Sequence, residues 1–237
     1  MDVLIAPAKL TVSLRVTGVR ADGYHLIDAE MVTLDLADEL VLADGDGLTV
    51  VEAGSGHAVP VDDDNLVRRA LAAVGRTAEV RLTKRIAAGA GLGGGSADAA
   101  AIFRWARCFD PALAATIGAD VPFCLRGGRA RVRGIGDVLE PLPWLARTYT
   151  LVTPPFGCST PAVYRAWDDL GGPTADGPND LEPAALRVEP RLAEWRDRLG
   201  DATGQTPVLA GSGSTWFVEG AHPGEGRVVA STTPAQA

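Results

Sequence analysis

Residues 87–101 (AAGAGLGGGSADAAA) pack five glycines into the seven positions Gly89–Gly95, then pass at once into strong helix formers. Upstream, Glu79–Ile86 (EVRLTKRI) alternates apolar and charged residues with the period of a strand. Downstream, Ser96–Phe109 reads as a helix with Ser96 near its N-cap. Strand, glycine loop and helix in that order make a phosphate cradle. Glycines let backbone N–H groups approach an anion, and the helix N-terminus adds donors and partial positive charge. The alternative is a plain glycine-rich turn, but a mere turn rarely needs this many unsubstituted positions.

Two familiar cradles do not fit. The P-loop needs G-x-x-x-x-G-K-[ST], and the chain has no Gly-Lys dipeptide. Gly89–Gly94 matches G-x-G-x-x-G literally, but a dinucleotide site needs an acidic residue closing the next strand about 20 residues on. Here Asp120 precedes an apolar run (VPFCL) instead of ending one. What remains is a phosphate loop without its own lysine, whose cation must come from elsewhere.

The chain's 237 residues suffice for one large or two small domains. Apolar residues at 46% and charged ones at 22% fit a globular protein. No apolar run approaches the ~20 residues of a membrane helix, and the start (MDVLIAPAKL) lacks a signal peptide's basic region. The expectation is a soluble cytoplasmic protein without a membrane partner. Cys108, Cys124 and Cys158 lack metal spacing and read as reduced and structural; with only three histidines, a His-rich metal site is disfavoured. A net charge of −8 argues against a broad basic face for nucleic acid. Positive charge is Arg twenty times and Lys twice, at Lys9 and Lys84. Each lysine therefore marks a place where a compact, flexible charge is needed.

Val3–Val16 reads as strand-rich, followed by a turn at Ala21–His25 and strands over Ala29–Leu36, Glu39–Ala43 and Leu48–Glu52. Asp62–Asn65 starts a helix through Val74. After the glycine unit come a short helix near Pro111–Thr116 and strands near Val121–Leu125, Ala130–Gly134 and Val138–Leu142. Pro141–Pro143 reads as a joint, dividing the chain into domains 1–145 and 146–237. The second domain has a strand at Thr148–Thr153, helices at Thr160–Leu170 and Glu189–Leu199, and a strand–turn–strand over Pro207–Glu219. A last strand covers Arg227–Thr232. The pattern suggests α+β layers, not a doubly wound sheet.

Phosphoryl transfer to an alcohol needs a phosphate cradle, Mg²⁺, a cation over the transferring group and a carboxylate to take the hydroxyl proton. Lys9, at the end of an edge-like segment, can supply the cation. Asp120 in GADVPF, a carboxylate flanked by apolar residues, can be the base; a helix or turn cap is the alternative. Pro7–Leu10 with Gly18 and Arg20–His25 (RADGYH), Gly91–Ala100, Gly118–Phe123 and Leu209–Ser214 then run in order along nearly the whole chain. Together they resemble the GHMP small-molecule kinases, and most closely the branch acting on a cytidine-diphospho-methylerythritol in non-mevalonate isoprenoid synthesis. The first motif is the specific one.

That resemblance implies a two-domain GHMP kinase fold. Its N-terminal domain would be ribosomal-protein-S5-domain-2-like and its C-terminal domain ferredoxin-like. It implies ATP and Mg²⁺, a small-molecule substrate, and a monomer or weak homodimer. Asp120 would accept the substrate's C2 hydroxyl proton, with Lys9 holding that carboxylate ionised. Ala87, Ala88, Gly89, Ala90, Gly91, Leu92, Gly93, Gly94, Gly95, Ser96 and Ala97 would wrap the ATP phosphates, with Asn65 and Lys84 near the nucleotide. Tyr24 and Tyr164 would sandwich the cytosine, His25 would read its edge, and Thr11, Gly211, Ser212 and Gly213 would complete the substrate site. Ser96 is the candidate protein ligand for Mg²⁺.

The chain departs from the family pattern at Thr11 (usually Asn), Ala87 (usually Pro) and Tyr164 (usually Phe), and His222–Gly226 stands where another helix is expected. Two other readings stay open at this point: a GHMP kinase for a small alcohol such as homoserine or mevalonate, and a nucleotide-binding paralogue without catalysis. The Asp-Gly-Tyr-His turn disfavours the first, because those alcohols have no base to stack; retained Lys9 and Asp120 disfavour the second.

Overall fold

The computed structural model describes residues 1–52 and 59–235. Two long antiparallel strands, β1 (Asp2–Val19) and β2 (His25–Ala43), open the chain on either side of the Ala21–Gly23 turn. β2 is the spine of the sheet. Along one edge it pairs with β1; along the other it meets β5 (Arg129–Gly134), β10 (Val228–Thr233) and β4 (Glu79–Lys84) in succession, all antiparallel. The two strands expected at Ala29–Leu36 and Glu39–Ala43 are thus one, because β2 has a different partner at each stage. β3 (Gly47–Glu52) lies parallel to β4, joined through α1 (Leu66–Ala73).

After β4 come the glycine loop, α2 (Gly94–Trp105), α3 (Pro111–Ile117) and α4 (Val121–Arg126), then β5 and its partner β6 (Val138–Leu142). The remainder builds β7 (Thr148–Val152), α5 (Thr160–Asp169), α6 (Glu182–Val188), α7 (Leu192–Thr203), β8 (Val208–Leu209) and β9 (Trp216–Glu219). β10 pairs with β7 as well as β2, so one sheet path runs β3-β4-β2-β10-β7-β9-β8. Among the described residues no strand after the loop pairs with β4 in parallel, which removes the dinucleotide-site geometry. None of the described helices is long and apolar enough to cross a membrane, and the three cysteines are free.

Three local expectations are corrected. Val121–Leu125 is helix, not strand. Five consecutive apolar residues carry no period, and all five are buried between neighbours, a pattern that suits either element. Pro122 is tolerated because it stands in the helix's first turn. The helix after the glycine loop is capped by Gly93, not near Ser96, and stops at Trp105, not Phe109. α6 lies in a stretch to which the sequence assigned no element.

Two apolar clusters make the core. The larger lies between the sheet and the helices, with Leu40, Val80, Phe103, Phe123 and Trp216 among its members. The smaller joins Ala8, Leu10, Val32 and Leu34 to Ala90 and Leu92 of the glycine loop and to Tyr149, Phe217 and Ala230. Register shifts in β1 at Pro7/Lys9 and Thr11/Ser13 redirect the strand between them: Ala6 and Leu14 pack in the first cluster, Ala8 and Leu10 in the second. Between the bulges Lys9 and Thr11 are buried as well. Lys9 therefore sits within a strand rather than at its end.

Candidate active site

The glycine loop is stitched to both sides of the molecule. Leu92 O accepts the backbone N–H of Lys9 at 3.0 Å, and Ala90 O accepts that of Thr215 at 3.1 Å. Two of its glycines are sterically required. Gly91 has φ +78°, and a Cβ there would stand 2.6 Å from Gly213 O and 2.7 Å from Ala210 O. At Gly93, with φ +68°, a Cβ would stand 2.7 Å from Lys9 Cγ.

A cleft of about 340 Å³ is formed by residues 87–96 of the loop together with Asn65, Lys84 and Asp98. A second, of about 580 Å³, holds Lys9, Thr11, Tyr24, His25, Asp120, Tyr164, Gly211 and Ser212. Gly91, Gly93 and Ser96 line both, so the two spaces meet at the loop. Of the residues expected in the site, Ala97 is buried in α2 and Gly213 stands behind Ser212; neither lines a cleft. Asn65 caps α1, its side chain accepting from Val67 N at 2.8 Å and donating to Pro60 O at 2.6 Å.

Lys9 Nζ stands 3.3 Å from Asp120 Oδ2 and donates to Thr11 Oγ1 at 3.0 Å. Asp120 does occupy an N-cap position, that of α4, yet its side chain makes no capping bond. Its carboxylate faces Lys9 in the cleft instead, so the side chain does not act as a helix cap. Cys124 behind it is inert: burial, followed by the Asp120 charge, pushes its thiol up to about 12.

Lys84 is not a free cation at the loop. It lies under the cradle and pairs with Asp38 and Asp98, the latter at 2.7 Å. Burial alone lowers its pKa, but the two carboxylates outweigh that and raise it above the ordinary value. Lys9 is thus the lysine that lines the second cleft. Asp38 and Asp98 were missed in the sequence. An acid inside an alanine run and one between two expected strands were the signals, and nothing local joins positions 46 residues apart.

Across the second cleft, the His25 ring lies against Tyr164 with centroids 4.6 Å apart and planes 33° apart, and Trp167 meets it edge-on at 5.6 Å. His25 Nε2 is 2.8 Å from Asp168 Oδ1, a partner that the sequence did not suggest. Burial, then the charge of Asp120, pushes the Tyr164 phenol up to about 12. Tyr24 is 59% exposed, its ring under the Arg20 guanidinium at 5.5 Å. Asn179 secures the far wall, donating to Leu209 O at 2.8 Å and Gly211 O at 2.7 Å while accepting from Leu181 N at 2.9 Å.

Residues 65–128, which include α1, the loop and Asp120, match the model of the GHMP kinases N terminal domain. A 4-diphosphocytidyl-2-C-methyl-D-erythritol kinase of Paracoccus denitrificans (strain Pd 1222) is 38% identical over 231 residues, covering 90% of this chain and 84% of the relative. The chain belongs to the 4-diphosphocytidyl-2-C-methyl-D-erythritol kinase family. A crystal structure of 4-(cytidine 5'-diphospho)-2C-methyl-D-erythritol kinase superimposes with a TM-score of 0.76 at 32% identity, covering 98% of this chain and 99% of that one. A homoserine kinase from Cytophaga hutchinsonii reaches 0.56 at 21% identity over 100% of this chain and 96% of that one, a likeness of fold alone. The chain is an ATP-dependent small-molecule kinase with the GHMP kinase fold.

Within this kinase family, the departures seen in the sequence can be located. Thr11 keeps one polar contact, to Lys9, where asparagine would offer both donor and acceptor. Ala87 O closes a turn by accepting from Ala90 N at 3.3 Å. The segment at His222–Gly226 is without regular structure and leads directly into β10, with His222 held by Gln205 at 2.9 Å.

Proposed function

We propose that this chain transfers the γ-phosphoryl group of ATP to the C2 hydroxyl of 4-diphosphocytidyl-2-C-methyl-D-erythritol, giving the 2-phosphate and ADP in non-mevalonate isoprenoid precursor synthesis. One observation carries the reading. The Lys9–Asp120 pair, at 3.3 Å, lies beside the glycines shared by the loop cleft and the cleft of Tyr24, His25 and Tyr164.

In this reading residues 1–145 carry the nucleotide loop and the reacting pair, and residues 146–237 close the substrate cleft. Loop N–H groups and the start of α2 hold the triphosphate. Asp120 accepts the hydroxyl proton as the new O–P bond forms; the bond from the γ-phosphorus to the bridging oxygen breaks and ADP leaves. Lys9, fixed by Thr11 and by the backbone at Leu92, balances charge on the transferring group. Tyr24 and Tyr164 stack the cytosine, each contact worth roughly 1–3 kcal/mol, and His25 reads its edge; Gly211, Ser212 and Gly213 support the diphosphate side. Asn65 borders the nucleotide.

The donor set also fits Mg²⁺ carried by the nucleotide. Ser96 Oγ borders both clefts, and no cluster of three His, Cys, Asp or Glu forms a protein-only cage among the described residues. Such an ion needs only one or two protein oxygens beside the phosphates; Ser96 would supply one, and the ion would contribute charge neutralisation at the phosphates. The reaction would run in the cytoplasm, in a monomer or weak homodimer.

A coupled ADP-release assay with Mg·ATP and each alcohol tests the proposal. Turnover on the cytidine substrate is expected, with Asp120→Asn lowering kcat by about 10²–10⁴ while ATP KM holds. Turnover on homoserine or mevalonate instead, or nucleotide binding without any turnover, would overturn it.

A further inference from the structure

Asp38, Lys84 and Asp98 are 0%, 6% and 2% exposed, and none of them belongs to the reacting pair. Asp38 Oδ1 accepts the backbone N–H groups of Arg85 at 2.5 Å and Ile86 at 2.8 Å, the first two residues past β4. Its other oxygen takes Lys84 Nζ. The same ammonium reaches Asp98 Oδ2 at 2.7 Å, one turn into α2. The glycine loop is the chain between those two anchors. Where it enters α2, a Cβ on Gly94 would stand 3.0 Å from Lys84 Nζ, so the backbone there rests against the ammonium.

Stability does not explain the arrangement. Burying two carboxyl groups around one ammonium carries a desolvation cost, and well-packed apolar residues commonly do as well or better. Asp98 Oδ1 also has no hydrogen-bond partner among the described residues, a further cost. What the cluster does supply is a fixed distance between the strand that enters the loop and the helix that leaves it.

We propose that Asp38, Lys84 and Asp98 are positioning residues that hold the glycine loop at the spacing its N–H groups need to receive the nucleotide phosphates. Lys84 acts through its carboxylate partners rather than by touching phosphate. The proposal rests on the kinase reading above and adds Asp38 and Asp98 to the residues on which that reaction depends.

The test measures Mg·ADP affinity by calorimetry, KM for ATP and for the alcohol, and Tm, in Asp38→Asn, Asp98→Asn, Lys84→Met, Lys84→Arg and the double variant Lys84→Met/Asp98→Asn. Positioning predicts that each single variant weakens Mg·ADP by at least about tenfold, as expected when binding groups shift by a fraction of an ångström. Alcohol KM stays within about twofold. The double variant is no weaker than Lys84→Met alone, and Lys84→Arg does not rescue, because the larger guanidinium has no room against the backbone at Gly94. A phosphate-binding Lys84 predicts the opposite for the acids. Freed of one carboxylate, the ammonium would hold Mg·ADP as tightly as in the parent, or more tightly, and that result overturns the proposal. So does a lowered Tm with unchanged Mg·ADP affinity, the mark of a merely structural cluster. If Lys84→Met fails to fold, the near-isosteric Asp98→Asn decides. Failure of the kinase reading looks different: the parent chain itself would then bind no Mg·ADP or phosphorylate no cytidine substrate.

Discussion

Single residues in this chain take their chemistry from partners far away in sequence. Lys9 and Lys84 are both nearly buried, yet one faces a cleft carboxylate and the other is enclosed by two acids. Asp98 shows the consequence most directly. Burial, working against the attraction of Lys84, pushes its carboxyl up to about 7 from an ordinary 3.8. Between those values the folded chain binds more protons at this site than the unfolded one. The stability contribution is therefore complete below the ordinary value and is lost as pH rises through about 7. Asp98→Asn cannot titrate, so its Tm relative to the parent should climb from about pH 5 to about pH 8. Parallel Tm curves over that range would refute the assignment.

Elements with local signals were legible; those defined by their surroundings were not. The glycine loop, the start of α1 at Asn65 and the last strand follow from glycine chemistry, an Asx cap and alternation, all short-range. Val121–Leu125 was not legible, since an unbroken apolar run suits a buried helix as well as a buried strand and only packing decides. The loop's rigidity gives a sharp expectation at this scale. Gly91→Ala brings a left-handed backbone penalty and a methyl against two carbonyl oxygens. It should destabilise the fold by more than about 2 kcal/mol in urea titration. A loss below about 0.5 kcal/mol would mean that the loop adapts freely.

The whole molecule is held together by what crosses between its two ends. β10 pairs with both β2 and β7, and the smaller core cluster contains residues of β1, β2, the glycine loop, β7, β9 and β10. Leu34, fully buried there, ties the sheet's spine to that cluster. Leu34→Ala should cost about 2–5 kcal/mol and lower one shared transition, with far-UV circular dichroism and tryptophan fluorescence melting together. Two separated transitions would show that the ends fold apart. From its sequence alone, the chain determined a lysine-less glycine loop before a helix and the kinase family, because these rest on residue types at short or ordered spacings. Only the tertiary structure decided that Lys9 lies inside a strand between two bulges, that Asp120 leaves its helix uncapped to meet it, and that Asp38 and Asp98 hold Lys84 beneath the loop. Those depend on strands and helices 14 or more residues apart meeting in space, and a linear pattern carries no record of such distances.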